Sequence, residues 1–208
     1  MMENINEAHL QTMLKRFFRS NPVYTAENLY VFGWESDMLI KTRSGMWYEV
    51  ECKISKADFI KDFAKTAKHL CLRTGQYWML RYISTTTDPL RADEWKDMGY
   101  VVTKDGNRWH AYSKNCMQHS HPYPNHFSYC VPWYMEEDVM PLIPPYAGLV
   151  VMREDGILDE VKKPPLLHKE KYTDEQLNLC EKFYFKWRSE KSIKESLLKE
   201  LNNLKQRK

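Results

Sequence analysis

Tyr48-Glu49-Val50-Glu51-Cys52-Lys53-Ile54 is the stretch on which the reading of this 208-residue chain turns. Its charged residues fall at odd positions, with Tyr48, Val50, Cys52 and Ile54 between them. That period of two defines a β-strand with two chemically distinct faces. Glu51 and Lys53 therefore share a face, about 6.6 Å apart along the strand. Glu49 shares it too, on the side away from Lys53, and is expected to be solvated. Upstream, Asp37 opens the strand-like run Met38-Leu39-Ile40. The thirteen residues between Asp37 and Glu51 suffice for two antiparallel neighbours joined at the turn signal Arg43-Ser44-Gly45. An acid on one strand can thus face an acid on the next.

Two carboxylates and a lysine on one face have a coherent chemistry. Hard oxygens hold Mg²⁺, the metal polarises a phosphate, and the lysine orients or deprotonates a water. An amphipathic strand with one wet face alternates its charges in the same way, so spacing alone leaves both readings open.

Before this motif, Leu10, Met13, Leu14, Phe17 and Phe18 recur at helical spacing behind a cap at Asn4 or Asn6, and Asn21-Pro22 ends the helix. Leu29 to Phe32 reads as a further strand, giving a helix and a three-stranded meander. After the motif, Ser55-Lys56-Ala57-Asp58 has the form of a capping box, and Ile60, Phe63, Ala64, Ala67 and Cys71 predict one helix from about Lys56 to Leu72. Lys61, Lys65 and Lys68 would line another face of that helix. Farther on, Gln76 to Ile83, Gly99 to Thr103, Phe127 to Val131 and Gly148 to Met152 read as strands. Arg91 to Met98 reads as a short helix, Cys116 to Tyr123 as polar loop, and the stretch with Pro132, Pro141, Pro144 and Pro145 as another loop. Thr173-Asp174-Glu175-Gln176 is expected to open a last helix carrying Leu177, Cys180, Phe183, Tyr184 and Trp187, with Ile193, Leu197, Leu201 and Leu204 continuing the period.

Composition bounds the answer. With 43% hydrophobic and 28% charged residues, the chain is expected to be one globular domain with an appendage, which excludes disordered, collagenous and coiled-coil arrays. Its longest apolar run, Tyr146 to Met152, falls far short of the roughly 20 residues a membrane helix needs. No membrane association is expected. Five cysteines without paired spacing argue against a disulfide framework and for a reducing, cytoplasmic location. The net charge of +3 hides an asymmetry, since residues 162–208 hold thirteen Lys/Arg against seven Asp/Glu. Such a segment suits a polyanion or a solvated helix equally.

The arrangement of a leading helix, Asp37, the Glu51-Cys52-Lys53 tripeptide on the next strand and a following helix resembles the PD-(D/E)xK nuclease superfamily over about residues 1–73. The run from Val50 to Phe59, with Lys65 and Lys68-His69, is similar to small DNA-repair or phage-associated nuclease-like proteins. So are Pro124-Asn125, Phe127 to Pro132, Pro145 to Leu149 and Lys162-Lys163-Pro164. The resemblance implies an α/β, restriction-endonuclease-like core of order αβββαβ, a mixed central sheet flanked by helices. Residues 1–172 would form this domain, with 71–123 inserted and 173–208 a C-terminal helical extension. It further implies a Mg²⁺-dependent endonuclease, with Mn²⁺ as substitute, acting on DNA in repair, recombination or phage DNA metabolism. Asp37 and Glu51 would bind the metal with help from the Cys52 carbonyl, and Lys53 would handle the attacking water. Glu7 and Glu35 could complete a second metal site. Lys56, Lys65, Lys68 and His69 would contact nucleic acid. Ser36 stands where the motif's naming proline would be.

Other readings compete. Cys116-x2-His119-x-His121 with Cys130 offers zinc ligands, in a spacing that fits no common zinc module. Tyr77, Trp78, Trp95, Trp109, Tyr112 and Tyr123 could stack bases or build a core. The same fold could act without catalysis, as a DNA-binding or partner-binding module. The Leu197, Leu201 and Leu204 stripe is too short for a dependable coiled coil, and the oligomeric state is left open, a homodimer included.

Overall fold

The computed structural model describes residues 5–18, 22–116 and 122–206. Asn6 caps α1 (Glu7–Phe17) by accepting a hydrogen bond from the His9 N–H at 2.9 Å. The chain then forms a meander, β1 (Pro22–Tyr30), β2 (Glu35–Thr42) and β3 (Trp47–Cys52), with antiparallel neighbours; its first strand lies earlier than the Leu29 to Phe32 run expected and shares only Leu29 and Tyr30 with it. Two later strands extend it in parallel, β7 (His126–Pro132) beside β3 and β8 (Gly148–Met152) beside β7, and antiparallel β9 (Leu158–Lys162) closes the far edge. The result is a mixed six-stranded sheet, β1-β2-β3-β7-β8-β9, flanked by helices. The protein is thus of the α/β class.

Register decides which face each charge meets. Met38 pairs with Val50 and Leu39 with Glu49, so odd residues of β2 and β3 share one side and even residues the other. The even side (Met38, Ile40, Val50, Cys52, with Cys130 and Val150) is covered by Leu10 and Leu14 of α1. The odd side (Leu39, Trp47, with Phe127 and Tyr129) is covered by Phe59, Cys71 and Leu72 from the helices after β3. Both faces are dry. Glu49 is accordingly 0% exposed, which corrects the expectation of a solvated carboxylate.

Those helices are two, not the single one expected from Lys56 to Leu72. α2 (Lys56–Asp62) is capped by Ser55, and α3 (Thr66–Thr74) begins after a break at Lys65, whose ψ of 61° is not helical. Thr66 Oγ1 satisfies the Ala64 carbonyl at 3.2 Å there. The break replaces the straight lysine face with a bend that brings Asp62, Lys65 and Lys68 toward the end of β3. Gly75 ends α3 at φ 71°, with the Tyr123 hydroxyl 2.8 Å from where a side-chain carbon would stand.

Residues 78–116 form a separate sheet, β4 (Trp78–Thr86), β6 (Arg108–Cys116) and β5 (Val101–Asp105) in that spatial order, with α4 (Pro89–Asp97) against it. Trp95 is buried, consistent with the core-building reading of that aromatic residue. After β7 the proline-rich stretch holds short helical turns, including α5 (Glu136–Val139). The Thr173 capping box does form: Thr173 Oγ1 accepts from the Gln176 N–H at 3.2 Å, and Gln176 Oε1 from the Thr173 N–H at 2.8 Å. It closes only one turn, because Asn178 takes a positive φ of 50°, and α6 (Leu179–Gln206) starts beyond it. Lys182 and Lys186 of α6 donate to the Val31 and Glu27 carbonyls along the β1 edge of the sheet. No helix among the described residues is long and apolar enough to cross a membrane.

Candidate active site

The charged cluster lies where β2 begins and β3 ends. Asp37 accepts the Cys52 N–H on Oδ2 at 2.9 Å, which fixes its carboxylate against the neighbouring strand. The Lys53 ammonium sits 3.5 Å from the same Asp37 oxygen and 2.8 Å from Glu51 Oε2. Two carboxylates that touch one nitrogen are on one side of the sheet and can serve one cation. Burial first, then the Glu51 charge, pushes the Asp37 carboxyl up to about 7, against the pull of Lys53 and the Cys52 N–H. Burial opposes the charge of Lys53 as well, but Glu51, Asp37 and Asp62 outweigh it and raise its pKa. Lys53 is therefore a permanent cation at neutral pH. Of the two roles expected for it, orienting and deprotonating water, that charge suits the first.

The bent helix pair supplies the rest. Asp62 at the end of α2 accepts from Tyr129 Oη at 2.9 Å and from His69 Nε2 at 3.1 Å on Oδ2. Its other oxygen, buried and without an aligned hydrogen bond, faces Lys65 at 2.9 Å and Lys53 at 3.8 Å as ion pairs only. Burial resists ionisation of Asp62, yet the His69 hydrogen bond and Lys68, Lys53 and Lys65 together hold its carboxyl well below the usual range. Because the Asp62 carboxylate and carbonyl can only accept, His69 Nε2 carries a proton, and Nδ1 lies 2.8 Å from Tyr146 Oη.

Lys68 is 2% exposed. Its ammonium lies 2.9 Å from Glu49 Oε1, contacts Glu51 Oε1, and stands 4.7 Å from the Phe127 ring centre. The expected phosphate contact is closed to it, since no polymer reaches a group enclosed on all sides. His69, with both nitrogens engaged, is likewise a structural partner of Asp62 and Tyr146 before it is anything else. Lys65, with a side chain 44% exposed and 3.3 Å from Glu51 Oε2, is the lysine of α3's start that remains open to solvent. Lys56 points away to Asp138, 2.8 Å distant on the surface.

Glu7 reaches the cluster from α1. Gln11 donates to Glu7 Oε1 at 3.2 Å and to the Asp37 carbonyl at 2.9 Å, tying the helix to the strand. Burial raises the Glu7 pKa and Lys53 lowers it, so the two groups sense one another. Glu35 is exposed, two residues before Asp37. His119 and His121 lie outside the described residues, as do the contacts that would decide the zinc reading. Among the described residues no three His, Cys, Asp or Glu side chains form a metal cage.

The donor set nevertheless fits magnesium. Mg²⁺ keeps much of its water and takes one or two carboxylates with substrate phosphate oxygens, whereas zinc wants three or four protein ligands. Asp37 and Glu51 supply that number of hard oxygens. Counted as fully ionised, four carboxylates (Asp37, Glu49, Glu51, Asp62) surround three ammonium groups (Lys53, Lys65, Lys68), a formal excess of one negative charge, or two with Glu7, and burial raises the pKa of Asp37, Glu49 and Glu7 against it. Asp37, costly as a bare anion, gains most from an added cation.

Alternation places Glu49 on the Glu51 face but does not show that face to be buried, and Asp62 and Tyr129 carry no spacing signature at all. Glu49 is held by Trp34 Nε1, 2.9 Å from each carboxylate oxygen, and by Lys68. The signal was Trp47, whose place on the same strand face marks that face as dry. Asp62 falls three residues after buried Phe59, an acid within an apolar stripe. Tyr129 gives no warning, because a strand tyrosine is ordinary core.

No protein-family model and no curated protein matches the chain. Among solved structures it is similar to a protein of unknown function from Silicibacter pomeroyi, 15% identical over 90% of each chain, with a TM-score of 0.49.

Proposed function

We propose that this protein is a metal-dependent nuclease of restriction-endonuclease-like fold that hydrolyses DNA phosphodiester bonds, with repair, recombination or phage DNA metabolism as its setting. The observation that carries the proposal is the meeting of the Asp37 and Glu51 carboxylates at Lys53 Nζ, on one side of the sheet. Asp37 and Glu51, with the Cys52 carbonyl between Glu51 and Lys53, would hold Mg²⁺ or Mn²⁺. Bound there, the ion supplies a Lewis acid for the phosphate and an acidified water. The chain's own groups do the remainder. Lys53, kept charged by its carboxylates, stabilises negative charge developing on the phosphate oxygens. Asp62 and Glu51 fix the position of that ammonium, and Lys65 offers an accessible cation at the mouth for the DNA backbone.

One observation favours the second reading, a nuclease-fold module that binds DNA or a partner without cleaving. Glu51 is already contacted by three lysines, Lys53, Lys65 and Lys68. A single experiment separates the two: linear, circular and branched DNA incubated with Mg²⁺, Mn²⁺ or EDTA, with wild type beside Lys53→Ala and Asp37→Asn. The nuclease reading requires cleavage only with a divalent ion and its loss in both variants. Cleavage in EDTA or in the variants overturns the mechanism, and binding without cleavage under every condition establishes the module.

A further inference from the structure

A cleft of about 730 Å³ separates the bent helix pair from the β5–β6 hairpin of the second sheet. One wall carries Lys61, His69 and Arg73, the other Lys104 and Asp105, and Phe63, Leu70 and Val101 give it an apolar floor. Lys61 and Arg73 are exposed where they line the cleft, and Lys104 is held 4.8 Å from the Trp109 ring centre. Three cations thus face one carboxylate. A second cavity of about 440 Å³, walled by Tyr123, Pro145 and Leu167, shares Arg73 and Tyr146 with the first. The two cavities adjoin at Arg73 and Tyr146.

The groove borders the candidate active site. Ala64 and Thr66 line it on either side of Lys65, whose ammonium touches Glu51 and Asp62. His69 lines it while bonding Asp62. The cleft of about 730 Å³ alone is of small-ligand size, in the range of roughly 300–1,000 Å³, and is too small to seat a duplex. Apolar wall and aromatic rings suit exposed base faces, which a duplex keeps stacked inward, and separated cations suit successive phosphates.

We propose that this groove binds an unpaired nucleic-acid strand, with Lys61, Arg73 and Lys104 on its phosphates and the floor and Tyr146 against its bases, so that the second sheet forms one wall of the substrate channel. The proposal rests on the nuclease reading for its role, but not for its test. All three cations are solvent-exposed and take part in none of the buried ion pairs, so the fold is expected to survive their removal, which circular dichroism checks. Binding of an end-labelled oligothymidylate is followed by fluorescence anisotropy in EDTA across a salt series, for the full chain and for Arg73→Ala and Lys61→Ala/Lys104→Ala.

The expected result is a loss of about tenfold or more in the double variant, with the slope of log K against log salt falling by about 0.7 per cation removed. The same variants should change affinity for a blunt duplex much less. Unchanged oligothymidylate affinity, an equal loss for duplex, or equal displacement by polyglutamate, which would mark an acidic protein segment as the occupant, overturns it. Because binding is read without divalent ions, groove and chemistry fail separately. Weakened binding with no cleavage anywhere sinks the nuclease and keeps the groove; cleavage with unweakened binding does the reverse.

Discussion

Replacing Asp37 by Asn should make the metal-free protein more stable at alkaline pH while removing its response to divalent ions. Burial first, and the neighbouring Glu51 charge second, raise the Asp37 carboxyl from its ordinary 3.8 to about 7. A carboxyl with a raised folded pKa holds its proton longer in the folded than in the unfolded chain. Its contribution therefore weakens the fold as pH climbs from about 4 to about 7 and levels off above. At 1.36 kcal/mol per unit, the ceiling on this penalty is about 4 kcal/mol. The side chain is 15% exposed, and solvent with local relaxation should bring the observed figure nearer to about 2 kcal/mol. Asn imitates the protonated acid and keeps an acceptor for the Cys52 N–H. Urea unfolding in EDTA should give stabilities for wild type and variant that draw together toward about pH 4 and separate by about 2 kcal/mol at about pH 8, the variant being the more stable. Added Mg²⁺ should stabilise the wild type and leave the variant where it was. A variant less stable than wild type at about pH 8, or a difference that does not move with pH, refutes the reasoning.

The buried ion pairs give further expectations. Lys68→Met strands Glu49 and Glu51 without their shared ammonium and should cost about 3–5 kcal/mol in urea unfolding, whereas Lys65→Ala, at an open site, should cost less than about 1 kcal/mol. Trp34→Phe removes the N–H that serves both oxygens of buried Glu49 and should cost about 1–3 kcal/mol by the same measurement. Gly148→Ala would place a methyl group 2.7 Å from Pro164 N and 2.8 Å from the Lys162 carbonyl, forcing β8 and β9 apart. Thermal unfolding should show a loss of about 1–3 kcal/mol.

The β2–β3 hairpin was legible because alternation and a Gly turn are local signals, and they sufficed to place Asp37, Glu51 and Lys53 on one side of a sheet. What alternation could not say is whether that side is wet. Glu49 is dry because Phe59 and Leu72, from helices farther along the chain, close over it, and only Trp47 hinted at this. The break between α2 and α3 was hidden for a related reason. Ala64, Lys65 and Thr66 do not forbid a helix, and the bend is where Asp62 and Lys65 meet Lys53 and Glu51. Lys68 then turns inward, so a lysine stripe that looked ready for phosphate becomes the counter-ion of two buried acids. β6 and β9 carry no strand signal because polar residues dominate them. The Thr173 capping box forms but caps a single turn instead of the last helix, since Asn178 interrupts the chain five residues later.

The central claim is that Asp37 and Glu51 serve one cation, and counting bound Mn²⁺ tests it most directly. Electron paramagnetic resonance titration of the wild-type protein should show one saturable Mn²⁺ per chain, lost in Asp37→Asn and in Glu51→Gln and kept in Lys65→Ala. No saturable binding to the wild type, or binding that survives both acid replacements, would contradict the account.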